Sequence, residues 1–306
     1  MIRAVSSSAA TRSGVACAVS AFLIWGLFPL YWKRLAAVGA LEVVAHRTTW
    51  ALVAVAFWVT VSRRWREALA LAVRPRTVLV LGGTAMLIAA NWLIYVWAVI
   101  GGRIVEASLG YYINPLVNVV LGVLVLRERL SRVQQVAVAL AGAGVAVLTL
   151  GYGRFPWVAL VLAATFALYG LGRKTVKADA VIGLLWETAL LAPLAASYLV
   201  VLAGRGTGAL GRLGATTDVL LLLAGIVTAI PLVLFTLGAR RLPLSTLGMI
   251  QYLSPTCQFL LAVLLYREPF TAAHAVTFAC IWTALGLLTW DLRTHLRALP
   301  PDAVTP

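Results

Sequence analysis

The sequence predicts an all-α integral membrane protein of ten transmembrane helices, arranged as two inverted five-helix repeats. Three observations predict it: the composition, ten long apolar runs, and a match of the chain to itself at a fixed offset. Of 306 residues, 62% are hydrophobic and 11% are charged, whereas a soluble domain keeps about a quarter of its residues charged. Mean hydropathy is +0.97. The apolar runs fall near 15–32, 42–62, 77–100, 104–126, 133–151, 156–172, 181–202, 218–238, 243–266 and 272–290. Each is close to the ~20 residues a helix needs to cross the hydrocarbon core. Without water to pair the backbone, such runs must be helical, and they lack the alternation of a barrel strand.

The first span follows "MIRAVSSSAATRSG". That start could pass for a signal peptide, but nine further spans favour an uncleaved first helix behind a cytoplasmic tail, 1–14. This span carries Trp25. The second contains His46 and Arg47 close to its beginning, although a guanidinium in hydrocarbon costs roughly 2.5–3.5 kcal/mol on insertion scales. The third holds Asn91 and Tyr95 one turn apart, with Trp92 beside them. In the fourth, Tyr111, Asn114, Pro115, Asn118 and Gly122 share one side at helical spacing. Small residues of the fifth (Ala139, Gly142, Ala143) indicate close helix packing, with a homodimer contact as one possible use. The sixth offers Tyr169 and the seventh Glu187. The ninth carries Gln251, Tyr252, Pro255 and Gln258. Trp32, Trp65, Trp157 and Trp290 stand at span ends, as interfacial belts do.

The self-match sets "YYINPLVNVVLGVLVLRE" from Tyr111 against "QYLSPTCQFLLAVLLYRE" from Gln251, without a gap, at an offset of 140. A second match, at 144, sets "FLIWGL" from Phe22 against "FALYGL" from Phe166. The repeats are then 15–151 and 156–290, with a cytoplasmic tail at 291–306. Five spans is an odd number, so the second copy runs in the opposite sense, placing Glu128 and Glu268 on opposite faces. Such inverted repeats are the architecture of many secondary transporters, and of some channels. Pro115 and Pro255 are expected to bend their helices at equivalent points, since each removes a donor and disfavours helix just before it.

The net charge of +15 would suggest nucleic acid in a soluble protein. Its distribution argues otherwise. With the N-terminus cytoplasmic, inner segments carry seventeen Lys and Arg against seven outside, with Arg47 inside a span. This is the positive-inside pattern; it places both termini in the cytoplasm. The basicity orients the chain in the bilayer and does not read as a nucleic-acid surface. Cys17, Cys257 and Cys280 lie in spans without metal or disulfide spacing, and no pattern calls for a cofactor.

Amides with aromatic walls suit an amphipathic small molecule. The candidate cavity residues are Trp25, Asn91, Trp92, Tyr95, Tyr111, Asn114, Asn118, Tyr169, Gln251, Tyr252 and Gln258; the alternative for the amides is bonding between helices. The candidate coupling or gating residues are His46, Arg47, Glu106 and Glu187. Depth along the spans favours Glu106 over Glu187 as partner of Arg47, with Glu42 nearer the surface. Glu187 would then be a lone intramembrane acid, able to carry a proton in exchange for substrate. The function expected is a secondary transporter exporting a small amphipathic metabolite or drug by alternating access. A channel-like facilitator is the alternative. An integral-membrane enzyme ranks below both, for want of a metal constellation, a nucleophile–base set or an extramembrane domain.

The segments "IWGLFPLYWK", "AHR", "NWLIYVWA", "EASLGYYINPLVN", "LYGLGRK", "LLWET" and "LPLSTLGMIQYLSPT" resemble the RarD family, in the EamA branch of the drug/metabolite transporters. The resemblance runs in order from about Ser13 to Trp290. It departs after "IYVWAV", where this chain reads Ile100, Gly101 and Gly102 in place of the Asn or His common in such proteins. It implies a ten-helix permease of the bacterial inner membrane with a central cavity.

Overall fold

Helices account for nearly all of the computed structural model, which describes residues 2–126, 130–152, 155–176, 178–239, 241–242, 246–247 and 250–298. In chain order they are α1 (Ile2–Arg34), α2 (Ala40–Val61), α3 (Trp65–Ala72), α4 (Pro75–Ile100), α5 (Ile104–Leu126), α6 (Arg132–Tyr152), α7 (Trp157–Thr175), α8 (Ala180–Gly204), α9 (Ala215–Ala239), α10 (Leu253–Leu260) and α11 (Ala272–Ala298). Among the described residues, eight helices are long and apolar enough to cross a membrane. Two shorter apolar helices, Trp157–Arg173 and Leu253–Leu265, fall where the sixth and ninth spans are expected. The chain is a multi-pass membrane protein.

Helix α1 begins at Ile2, so the segment expected as a tail continues the first helix. Helix α3 is absent from the sequence expectation because eight residues make no span. It lies along the surface with Ala68 and Leu71 buried, and the Trp186 indole donates to the Ala68 carbonyl at 2.9 Å.

The expected matching bends at Pro115 and Pro255 are not matched. Pro115 sits inside an uninterrupted α5. Pro255 is the third residue of α10, preceded by a turn in which Ser254 N–H bonds the Gln251 carbonyl at 3.2 Å. In the first turn of a helix the missing donor has no intrahelical acceptor to lose, so Pro255 sits at the start of α10, just after a turn at 251–252 that follows helical residue Ile250. Helix α10 ends in a π-helical turn, Leu261–Leu265, and Arg267 follows with φ +51°. Glu128 lies outside the described residues.

Helix packing follows a pattern. Helices α2 and α8, α5 and α10, and α6 and α11 pack directly on one another, and each pair joins one half of the chain to the corresponding helix of the other. The remaining main contacts come in matched pairs: α1 on α9 with α4 on α7, α5 on α7 with α1 on α10, and α2 on α9 with α4 on α8. These contacts keep their pattern when α1, α2, α4, α5 and α6 are exchanged for α7, α8, α9, α10 and α11.

Each self-paired couple runs antiparallel. Glu42, early in α2, accepts from the Ala209 amide just past α8, at 2.6 Å, while Arg64 past α2 meets Asp179 at the start of α8, at 3.3 Å. Glu268, past α10, accepts from the Ile104 and Val105 amides that open α5, at 2.9 and 2.8 Å. Asp291, late in α11, accepts from Ser131 and Gln134 at the start of α6. The ring of Tyr112, within α5, stacks on that of Tyr252, in the turn before α10, centroids 6.3 Å apart and 14° from parallel.

Lipid is as apolar as leucine, so helices associate in it through close approach and hydrogen bonds rather than hydrophobic expulsion. Gly225 permits a close backbone approach: a Cβ there would lie 2.0 Å from the Trp50 carbonyl carbon of α2. On α6, Ala137, Ala141 and Gly144 form the packed face, and Thr277 of α11 donates to the Gly144 carbonyl at 2.8 Å. The stripe expected to pack, Ala139, Gly142 and Ala143, is exposed. Helical phase explains the difference, since 137, 141, 144 and 148 follow the 3.6-residue repeat that faces α11.

Candidate functional site

Two buried charges occupy matched positions in the two halves, and each has its own surroundings. Arg47, on α2, is 4% exposed and stands where α1, α4 and α9 meet. Its Nε donates to the Thr228 hydroxyl of α9 at 2.9 Å. Its guanidinium carbon lies 4.0 Å from the ring centroid of Trp92, 5.1 Å from that of Trp32 and 5.7 Å from that of Phe28. A guanidinium over aromatic faces is attracted by the ring quadrupole, most strongly when water is excluded. Trp32 is therefore not a belt residue: it is fully buried and forms one wall of this box.

Neither expected acid answers Arg47. Glu106 turns its Oε1 to the Val158 amide, 3.2 Å away, at the start of α7. Glu187 belongs to another group: Thr84 donates to its Oε1 at 2.8 Å, Tyr169 donates to its Oε2 at 3.2 Å, and Arg173 Nε lies 3.8 Å from it. The expectation of an Arg47–Glu106 pair and a lone Glu187 is corrected on both counts. Depth counting along straight spans overlooked a second use for acids near helix ends. Glu106 and Glu268 accept backbone N–H groups at the start of another helix, where free donors and the helix dipole favour a carboxylate, and Glu42 accepts a loop amide beyond α8.

Glu187 is fully buried and closes a ladder of alternating charge that begins at the surface. Arg64 bonds Glu67 at 2.8 Å and Asp179 at 3.3 Å, and Arg173 donates to the Asp179 carbonyl at 3.2 Å before reaching Glu187. Burial works against the charge on Arg64, but its bonds to Glu67 and Asp179 outweigh that and hold its pKa above the usual value. Gly183 makes room for the ladder: any Cβ there would lie 1.9 Å from the Arg173 guanidinium.

The threonines are as well matched as the charges. Arg47 and Glu187 differ by 140 residues, and Thr84 and Thr228 by 144, the two offsets of the sequence repeat. The charged residue of α2 bonds the threonine of α9, and that of α8 bonds the threonine of α4. Sequence reasoning passed over Thr84, Thr228, Arg173 and Phe28. The offset applied to polar residues in apolar spans would have found the threonines. Arg173 lies just past the expected sixth span, 156–172, but α7 continues to Thr175 and carries it.

The expected cavity residues separate into ties and rings. Asn91 is 1% exposed; it donates to the Leu162 carbonyl and the Thr165 hydroxyl, both at 3.0 Å, and accepts from Tyr111 at 3.2 Å. Asn114 donates to the Ala163 carbonyl at 3.1 Å and accepts from the exposed Asn118 at 3.2 Å. These bonds tie α4 and α5 to α7. Gln258 donates to the Trp25 carbonyl and to Ser254, both at 3.2 Å, tying α10 to α1. His46 accepts from the Trp50 indole at 3.3 Å, within α2. Gln251 and Tyr252 stand in the turn before α10. The rings form a row: Tyr95 to Tyr111 at 5.7 Å, Tyr111 to Phe166 at 6.0 Å, and Phe166 to Tyr169 at 6.1 Å. The row leads from beside the Arg47 box to Glu187.

Comparison with known proteins places this arrangement. Residues 12–150 match the EamA-like transporter family. The Escherichia coli (strain K12) protein RarD is 45% identical over 281 residues, 92% of this chain and 95% of that protein. The chain belongs to the RarD family of EamA-type transporters. Another relative, named as an uncharacterized transporter of Vibrio cholerae, is 46% identical over 280 residues, 92% of this chain and 93% of its own. A solved crystal structure matches at a TM-score of 0.58 and 20% identity, over 90% of this chain and 96% of that one, which speaks to the fold alone. As a RarD-family member, the chain is a membrane transporter.

Proposed function

We propose that this chain is a secondary transporter of the bacterial inner membrane that exports a small amphipathic metabolite or drug by alternating access. In this reading, 15–151 and 156–290 are inverted five-helix repeats, both termini are cytoplasmic, and the chain is not an enzyme. The observation that carries it is the antiparallel packing of α2 on α8, α5 on α10 and α6 on α11. Equivalent helices of two halves related by an axis in the membrane plane must run in opposite senses, and halves so related can exchange shapes. The tyrosine stack supports an axis passing between Tyr112 and Tyr252.

The charge ladder from Glu67 to Glu187 suits an inner gate. It joins the α2–α3 link, the start of α8 and the end of α7, and its bonds are separable. Glu187 is the coupling residue in this scheme: when the ladder parts from Arg173, its carboxylate takes up a proton, and ladder closure releases it. The row Tyr95–Tyr111–Phe166–Tyr169 with Trp92 forms the substrate wall, held by the Asn91 and Asn114 ties. A homodimer through the exposed Ala139, Gly142 and Ala143 completes the reading. Counterflow in proteoliposomes tests it: substrate on the far side accelerates flux through a carrier, whereas a channel-like facilitator shows no such exchange.

A further inference from the structure

Among the described residues, Arg47 has no carboxylate within ion-pair distance. Its Nη1 is buried without a hydrogen-bond partner, and the Tyr95 hydroxyl is buried in the same condition. Tyr95 stands about one helical turn along α4 from Trp92, the ring over which the Arg47 guanidinium sits at 4.0 Å. Buried polar groups are nearly always satisfied, and a buried cation without a counter-charge is costly to keep. The aromatic box offsets part of that cost, but it offers Nη1 no acceptor.

We propose that Arg47 and the Tyr95 hydroxyl bind the carboxylate of a monoanionic, aromatic or branched substrate whose apolar body lies along Tyr111 and Phe166. This rests on the permease reading and adds a substrate class to it. Two free donors match the two oxygens of one carboxylate. A phosphate dianion brings more oxygens and more charge than one guanidinium edge and one hydroxyl answer. The missing counter-charge of Arg47 is then supplied by the cargo. A transporter has reason to leave such a charge unpaired, since a resident acid would compete with every substrate.

The test uses the purified full chain in detergent, with benzoate against benzamide and phenylacetate against phenylacetamide as probes, read by thermal unfolding at fixed pH and salt. The two carboxylates are expected to raise the midpoint and to bind about ten-fold or more tightly than their amides, the scale of a charge-assisted hydrogen bond. Arg47→Gln should abolish that preference while leaving the ligand-free protein at least as stable as wild type. Tyr95→Phe, which keeps the ring, should weaken carboxylate binding without affecting amide binding, and it serves where Arg47→Gln does not fold. Equal binding of acids and amides, no carboxylate-dependent shift, or a preference that survives either variant overturns the inference. Counterflow separates this from the underlying reading. Exchange of the amides with no carboxylate preference leaves a permease without this anion site. Carboxylate binding that depends on Arg47, with no exchange flux, leaves the anion site without a permease.

Discussion

Tyr112 and Tyr252 stand 140 residues apart at equivalent points of the sequence repeat, and their rings lie face to face at 6.3 Å. On the inverted-repeat reading proposed above, equivalent residues can touch one another only beside the two-fold axis, which would then pass through this stack. Removing it should weaken the contact between α5 and α10. In a double-mutant cycle of Tyr112→Leu and Tyr252→Leu, the coupling is expected to be about 0.5–1.5 kcal/mol, the value of an aromatic pair beyond its area. Unfolding of the four variants in detergent measures it. The hydrogen bond between Tyr112 and Thr256, 2.6 Å, is lost in the first variant only and must be controlled with Tyr112→Phe.

Glu268 caps α5 from the end of α10 with both carboxylate oxygens. Replacing it with Ala should cost about 0.5–2 kcal/mol, as loss of a helix cap does, and Gln should recover part of this. Melting temperatures of the purified variants are the readout. A Glu268→Ala protein as stable as wild type rules out the cap as a structural tie.

Gly225 lets α9 come close to the backbone of α2. Gly225→Ala forces a Cβ against the Trp50 and Ala51 backbone, an overpacking expected to cost about 1–3 kcal/mol and to lower the yield of folded protein. Gly286→Ala, at an exposed helical position open for at least 4 Å, is the matched control and should be neutral.

Glu187→Gln keeps a hydrogen-bonding side chain beside Thr84 and Tyr169 but removes the proposed proton carrier. Accumulation driven by a pH gradient in proteoliposomes should be lost while counterflow continues. Gradient-driven accumulation equal to wild type places the coupling elsewhere. Arg173→Gln should loosen the ladder at the same point and raise leak through the inner gate, measured as downhill flux without a gradient.

Much of the architecture was legible because membrane helices declare themselves through composition. Among the described residues, eight of the ten apolar runs fall on helices long enough to span and two on shorter apolar helices, and the offsets of 140 and 144 brought Arg47, Glu187 and the two tyrosines into correspondence. What escaped was short-range chemistry between elements distant in sequence. Counting depth from span ends predicted a partner for Arg47 by height alone, yet the residues around it are Trp92, Trp32 and Phe28, rings that charge bookkeeping ignores. Acids at the beginnings of spans read as possible ion-pair partners, whereas Glu42 and Glu106 bond free backbone amides. Pro255 read like Pro115 because a motif match does not reveal where a helix begins.

The account depends on equivalent helices of the two halves crossing the membrane in opposite senses. With Cys17, Cys257 and Cys280 replaced, single cysteines at Ser62 and Thr207, both exposed beyond the ends of α2 and α8, can be labelled with a membrane-impermeant maleimide. In intact cells Thr207→Cys should react and Ser62→Cys should not, with the reverse in inside-out vesicles. Both positions reacting from the same side would contradict the inverted repeat and, with it, the alternating-access mechanism.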